Sequence, residues 1–320
     1  MNITIAYASL EDTRFFPDAL ARHEVRAIHE LRGAVWEEIE AIATVHGRPF
    51  GRELIDAMPR LRLIVTRSTG YDHIDLQAAA ERGIQVSNVP EYGSTTVAEF
   101  TMGLILSLTR KIPHAVSNSR RGEYTVENLM GVDLAGKTLG IVGLGKIGRN
   151  LQRMAEGFSM KIVIHDPARA ESIPLDDLLG RSDVIALCCP LTPETHRMID
   201  AEALEKMKRS AYLVNTARGA VVDSAALLSA VERGQIAGAA LDVLEGEDAM
   251  LEMKSDANVE RNLALMKHRN LLVTPHLAYD SVEAVQRIRQ TTVDILQAFS
   301  EGRALHVVPS VLRVEAAGSV

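Results

Sequence analysis

The sequence predicts an α/β protein built on two doubly wound parallel sheets. Three observations carry this. Short β-branched runs alternate with helical patterns along the 320 residues. The runs are continuously apolar rather than alternating, as in strands covered on both faces. One run leads into a glycine-rich turn that opens a helix, the junction that a parallel βαβ unit makes.

Taken in order, strands are expected at residues 3–6, 63–66, 85–87, 139–142, 161–164, 184–188, 212–214, 239–241 and 271–274. Up to about residue 100 the alternation carries no glycine fingerprint; from about 110 to 283 it carries one. Between them, residues 95–111 place Val97, Phe100, Met102, Leu104, Ile105, Leu106 and Leu108 around nearly the whole circumference of a helix. Such a helix is buried, between domains or against a second subunit. A last helical pattern, 281–299, is expected to return to the first domain. The reading is therefore a domain of residues 1–105 plus 284–320 and another of 106–283.

Composition narrows the function. With 47% hydrophobic and 24% charged residues the chain can build full cores. A net charge of -7 gives no advantage in neutralising phosphates, so nucleic acid is not an expected partner. An anionic substrate would need placed arginines. The two cysteines, Cys188 and Cys189, are adjacent, which is no disulfide framework; reduced thiols and a cytoplasmic location are expected. The N-terminal residues lack a basic region followed by an apolar run, and the apolar stretch 97–108 is short and interrupted by Glu99, Thr101, Gly103 and Ser107. No signal peptide and no membrane span are expected. No metal site is expected either.

The run 139–142 enters Gly143-Leu144-Gly145-Lys146-Ile147-Gly148, and the helix that follows places Ile147, Leu151, Met154 and Phe158 on one side. Asp166 closes the next strand. Strand, glycine turn, helix and acidic residue together are what dinucleotide binding requires; the glycine turn alone would be weak evidence. Gly143 permits the tight turn, Gly145 lets the backbone approach a pyrophosphate, and Gly148 lets the helix sit close to the strand. The helix N-terminus offers N–H groups to the anion. Asp166 would accept hydrogen bonds from ribose hydroxyls and repel a 2′-phosphate, which predicts NAD rather than NADP.

Three later strands end in Asn215-Thr216-Ala217-Arg218-Gly219, in Leu241-Asp242-Val243-Leu244-Glu245-Gly246-Glu247, and in Thr274-Pro275-His276. Strand C-terminal ends line the crevice of such a sheet, so Arg218, Glu247 and His276 are expected to converge. Each alone reads more simply as a surface or capping residue. Together they suit hydride chemistry on a 2-keto acid. Arg218 can fork onto carboxylate and carbonyl oxygens. His276 can donate a proton near neutral pH. Glu247 can favour the imidazolium and hold the ring.

These segments, with Pro190-Leu191-Thr192-Pro193-Glu194-Thr195, resemble those of the D-isomer-specific 2-hydroxyacid dehydrogenases over nearly the whole chain. The resemblance implies a Rossmann cofactor domain inserted in a flavodoxin-like substrate domain, and a homodimer. It assigns the catalytic set to Arg218, Glu247 and His276. It gives cofactor contacts at Lys146, Ile147, Asp166, Cys189, Pro190, Thr195, Thr216, Ala217 and Asp242. The family's substrate loop falls on residues 67–72, with backbone N–H groups at Thr69 and Gly70 on the carboxylate. Tyr92, Tyr279 and the long stretch from Glu247 to His276 resemble the D-lactate dehydrogenase-like subgroup, implying a pyruvate-like 2-keto acid as substrate and D-lactate-type product. Leu244 stands where an aromatic residue is usual, Ser159 where glycine is common, and Phe100 where histidine is common. A glyoxylate or hydroxypyruvate reductase is the alternative within enzymes. An NAD-sensing corepressor-like binding protein is the alternative of another class.

Overall fold

At the N-terminus, β1 (Asn2–Ala6) pairs with β2 (Glu24–Ile28) on one side and β3 (Ala41–Thr44) on the other; β4 (Leu63–Thr66) and β5 (Gln85–Asn88) extend the sheet. The order is β2-β1-β3-β4-β5 and every pair is parallel, the flavodoxin-like winding. In the computed structural model, which describes residues 1–31, 36–251 and 256–309, this sheet belongs to a unit made of Met1–Tyr92 and the chain from Ser281 onward. Residues 310–320, assigned to this domain from sequence, lie outside the described residues.

Two of these strands were not expected. β2 is an edge strand whose Glu24 and Arg26 face solvent, so it has no apolar run to read. β3 is short and alanine-rich, Ala41-Ile42-Ala43-Thr44, although every residue of it is buried. Side chains alternate between the sheet faces. Ile3, Ile5, Ala41, Ala43, Leu63 and Val65 pack with Phe16 and with Ile288, Val293, Ile295 and Leu296 of the helix Val282–Ser300. Ile42, Ile64 and Val86 pack on the other face with Phe50, Ile55 and Met58.

The second unit is Gly93–Asp280. Its strands are β6 (Thr138–Val142), β7 (Lys161–His165), β8 (Val184–Leu187), β9 (Tyr212–Asn215), β10 (Gly238–Leu241) and β11 (Leu271–Val273), all parallel in the order β11-β10-β9-β8-β6-β7. All six expected strands are present. The apolar helix is Ser94–Thr109. Ala98, Met102, Leu104, Ile105 and Leu108 pack on Leu139, Ile141, Val184, Ala186, Val214 and Ala240. It covers a face of the second unit's own sheet. Each fully buried side chain of this kind contributes about 1.5–3 kcal/mol.

In each sheet the winding reverses at one place, between β1 and β3 and between β6 and β8. Open α/β sheets bind ligands outside the C-terminal strand ends at that point. Among the described residues no helix is long and apolar enough to cross a membrane.

Candidate cofactor site and active site

The glycine turn follows β6, at the second unit's switch point. Gly143 has φ +92°, and a Cβ on it would lie 2.8 Å from the Cys189 backbone nitrogen. A Cβ on Gly148 would lie 2.2 Å from the Gly143 carbonyl oxygen, so only glycine lets the helix Lys146–Gly157 begin this close to the strand. Gly145 is different: a Cβ there would meet nothing within 4 Å. Packing does not require that glycine; an approaching ligand would. The helix it opens has no side-chain cap, so its first N–H groups can receive an anion. Asp166, at the end of β7, accepts the Leu144 N–H at 2.7 Å and the Ala168 N–H at 3.0 Å. The acid is thereby fixed beside the turn. Open space at Gly145, an uncapped helix start and a fixed carboxylate fit a dinucleotide.

The loop after β8 forms the other wall of this switch point. Burial raises the thiols, Cys188 to about 12 and Cys189 to about 11, so both are neutral near pH 7. Thr195 Oγ1 donates to the Pro190 carbonyl at 2.7 Å and accepts the Thr192 N–H at 2.8 Å. That hydroxyl shapes the loop. Thr216 Oγ1 lies 2.8 Å from Thr101 Oγ1 on the helix Ser94–Thr109, and Ala217 packs into the apolar core. Of these, Lys146 and Pro190 are exposed, while Ile147 packs against the core.

Asn215, fully buried at the end of β9, builds the next turn. Its side chain accepts the Ala217 N–H at 3.0 Å and donates to the Arg218 carbonyl at 2.9 Å. A Cβ on Gly219 would lie 2.0 Å from the Leu244 carbonyl carbon, so this turn and the segment after β10 touch backbone to backbone. That segment is pinned by Glu245, which is buried, takes Arg197 Nε at 2.8 Å and is approached by Arg261 at 3.5 Å. The sequence did not disclose these roles of Asn215 and Glu245; a polar residue inside an apolar strand-end segment was the available signal.

Glu247 follows. One of its carboxylate oxygens accepts the Leu244 N–H at 3.0 Å, and the other lies 2.6 Å from His276 Nδ1. Asp242, 1% exposed, holds the histidine loop. It accepts Thr274 Oγ1 at 2.6 Å and the N–H groups of Leu277 at 3.0 Å and Ala278 at 2.9 Å. The His276 N–H donates to the Asp242 carbonyl at 2.8 Å, and His276 keeps φ +53°, left-handed backbone that a non-glycine residue holds only when its surroundings fix it. Burial opposes charge on His276. The hydrogen bond and charge of Glu247, then the charge of Asp242, outweigh burial and the nearby Arg218 cation, so its pKa is raised. The Tyr279 ring stands edge-on to the imidazole, centroids 6.5 Å apart.

In the first unit the loop after β4 is held by Ser68 Oγ on the Gly70 carbonyl at 2.7 Å, Asn88 Nδ2 on the Thr69 carbonyl at 2.8 Å and Thr69 Oγ1 on the Val89 carbonyl at 3.2 Å. Among the described residues, the backbone N–H groups of Thr69 and Gly70 donate to no protein acceptor. Tyr92 packs its ring on this unit's core, and its carbonyl accepts Arg287 Nε at 2.7 Å.

The profile of the family described as "D-isomer specific 2-hydroxyacid dehydrogenase, NAD binding domain" matches residues 102–278. The chain belongs to the D-isomer specific 2-hydroxyacid dehydrogenases. As a member of that family it is an NAD-dependent oxidoreductase acting on the CH–OH group of 2-hydroxy acids. It is 41% identical over 264 residues to a glyoxylate reductase of Thermofilum pendens, covering 78% of this chain and 75% of that one. It is 39% identical over 288 residues to a glycerate dehydrogenase of Methylorubrum extorquens, covering 88% and 87%. Among solved structures it resembles a D-lactate dehydrogenase from Aquifex aeolicus complexed with NAD and lactic acid, with a TM-score of 0.88, 34% identity and coverage of 94% and 96%.

Proposed function

We propose that this dehydrogenase interconverts a small 2-keto acid and the D-2-hydroxy acid, with His276 as acid and base, Glu247 as its partner and Arg218 binding and polarising the substrate. The observation that carries the reading is the 2.6 Å contact between Glu247 and His276 Nδ1. It supports a reading in which Nδ1 serves the carboxylate and Nε2 transfers the proton. In the reducing direction the Nε2–H bond breaks as the substrate O–H bond forms. Arg218 offers a planar fork to the carboxylate and carbonyl oxygens. The N–H groups of Thr69 and Gly70 receive the carboxylate. When bound, the nicotinamide supplies or accepts the hydride. Gly143, Gly145, Gly148 and the start of the helix Lys146–Gly157 hold its pyrophosphate, and Asp166 its ribose.

A pyruvate-like substrate is supported by Tyr92, Tyr279 and the likeness to the Aquifex aeolicus enzyme. Glyoxylate or hydroxypyruvate is supported by the relatives from Thermofilum pendens and Methylorubrum extorquens. A cytoplasmic homodimer is part of the proposal: Tyr124, Val126 and Met130, close in sequence, are 98%, 89% and 88% exposed, apolar side chains that a second copy would cover. The deciding experiment is NADH oxidation with pyruvate, phenylpyruvate, glyoxylate and hydroxypyruvate, comparing wild type with His276→Ala. Turnover that collapses in the variant supports the enzyme and its acid. NADH binding with no turnover on any acid supports a binding protein instead.

A further inference from the structure

The first unit holds a buried ion pair that the reaction above does not use. Asp12 opens the helix Asp12–Ala19 after β1, and Arg67 follows β4, so the pair joins two loops whose strands are separated by β3. Arg67 Nη2 lies 2.8 Å from Asp12 Oδ2, and the two side chains are 8% and 3% exposed. Asp12 is held in place by its own loop: the Ser9 N–H donates to its carboxylate at 3.0 Å, and its N–H donates to Ser9 Oγ at 3.1 Å. Its other oxygen takes Arg289 Nε of the helix Val282–Ser300 at 2.7 Å. Arg67 is fixed as firmly. Its backbone N–H donates to the Thr44 carbonyl at 2.8 Å, and its guanidinium carbon stands over the fully buried Phe16 ring, 5.4 Å from the centroid.

Stability alone gives little reason for this pair. Taking two charges out of water costs about as much as their attraction restores, and an apolar pair of similar volume is often as stable. Arg67 also buries its Nε and Nη1 with no hydrogen-bond partner among the described residues, which adds to the cost. What the pair does supply is a fixed point. Arg67 stands just ahead of Ser68, Thr69 and Gly70. The far side of that loop is tied to the end of β5, by Asn88 Nδ2 on the Thr69 carbonyl and by Thr69 Oγ1 on the Val89 carbonyl. The Asp12–Arg67 pair ties its near side to the loop after β1. Between the two anchors the Thr69 and Gly70 N–H groups keep a defined place.

We propose that Asp12 and Arg67 are positioning residues for the substrate: the pair sets the loop so that the Thr69 and Gly70 N–H groups meet the carboxylate of the 2-keto acid. This rests on the reading that those N–H groups hold the carboxylate. Buried as it is, Arg67 acts through the loop rather than on the substrate. A displacement of about 1 Å in such a loop costs up to roughly a hundredfold. The carboxylate is held alike in the ground state and the transition state, so the loss falls on KM rather than on kcat. Arg289 still pairs with Asp12 when Arg67 is changed, so the link can be cut without leaving a bare buried charge.

The test is steady-state kinetics and NADH binding for Arg67→Met, on whichever of pyruvate, glyoxylate and hydroxypyruvate the wild type reduces. KM for the acid should rise by roughly ten- to a hundredfold, with kcat near the wild-type value and the Kd for NADH unchanged. Arg67→Lys keeps a charge to meet Asp12 and should recover part of the rise. Asp12→Asn should raise KM in the same way, which covers the case in which Arg67→Met does not fold. A KM unmoved in folded Arg67→Met overturns the proposal. So does a KM that rises together with the Kd for NADH, since that marks general loosening. Gly70→Pro deletes one of the loop N–H groups and separates the two readings. KM raised there but not in Arg67→Met removes Asp12 and Arg67 alone, whereas KM unmoved in folded Gly70→Pro overturns the carboxylate reading and this proposal with it.

Discussion

Glu247 Oε1 sits 2.6 Å from Nδ1 of His276, and the second oxygen of the same carboxylate takes the Leu244 N–H. The pair is therefore oriented from the backbone rather than by two mobile side chains. Its effect is directional: burial pushes the imidazole toward neutrality, and Glu247 and Asp242 together more than reverse that.

The first prediction is a pH profile. Keto-acid reduction requires imidazolium, so it should persist above the ordinary histidine range and fall as pH rises through the raised pKa. Hydroxy-acid oxidation requires the neutral ring and should rise through the same window. Glu247→Gln should move both limbs toward acid and lower turnover by roughly ten- to a hundredfold, within what positioned acid–base catalysis supplies. The linked stability has the same sign: the extra proton stabilises the folded state at low pH, and that contribution is lost as pH rises through the folded pKa. Profiles of kcat/KM that coincide for wild type and variant would remove Glu247 from this role.

The second prediction concerns Asp242. Its carboxylate accepts three donors, Thr274 Oγ1 and the N–H groups of Leu277 and Ala278. An amide cannot accept from all of them, because its NH2 faces a donor. Asp242→Asn should cost about 1–3 kcal/mol of stability and reduce kcat/KM as the left-handed backbone at His276 relaxes. Denaturant unfolding and steady-state kinetics check both. Unchanged stability with lost NADH affinity would instead make Asp242 a direct cofactor contact.

Much of this was legible in the sequence because glycine and apolar runs report backbone constraints directly. Gly148 is glycine since a carbonyl sits where its Cβ would be, and the six strands of the second unit are apolar since both their faces are covered. β2 was not legible: an edge strand with Glu24 and Arg26 outward has a polar face by necessity. The helix Ser94–Thr109 was legible as buried but not as to its partner, because an apolar circumference does not say what covers it. The positioning contacts of Asn215, Asp242 and Glu245 were out of reach for a different reason. They are long-range or turn hydrogen bonds, and only the fold brings their partners together.

The third prediction is cofactor choice. Asp166 is held against the glycine turn by the Leu144 N–H at 2.7 Å, which places its negative charge where a ribose hydroxyl would be read and a 2′-phosphate repelled. Asp166→Ala should narrow the NAD-over-NADP ratio of kcat/KM by about tenfold or more, the effect of roughly 1.4 kcal/mol. An unchanged ratio would show that the ribose is read elsewhere. Because the same oxygen ties down the turn, the unfolding midpoint should also fall slightly.

The last prediction separates charge from shape at Arg218. The turn that carries it is fixed by Asn215 and by the backbone contact of Gly219 with Leu244, and Arg218 Nη1 donates to the Ala217 carbonyl at 2.8 Å. The guanidinium thus leaves a defined turn as a rigid fork. Arg218→Lys keeps the positive charge but replaces the fork with a single ammonium on a flexible stem. If Arg218 holds carboxylate and carbonyl oxygens together, kcat/KM should drop by about a hundredfold or more, with both kcat and KM affected, since binding and polarisation are lost at once. The raised pKa of His276 should rise no further, because a cation remains nearby to oppose it. Near-normal kcat/KM in Arg218→Lys would reduce the residue to a general positive charge, and the polarising role would pass to another donor.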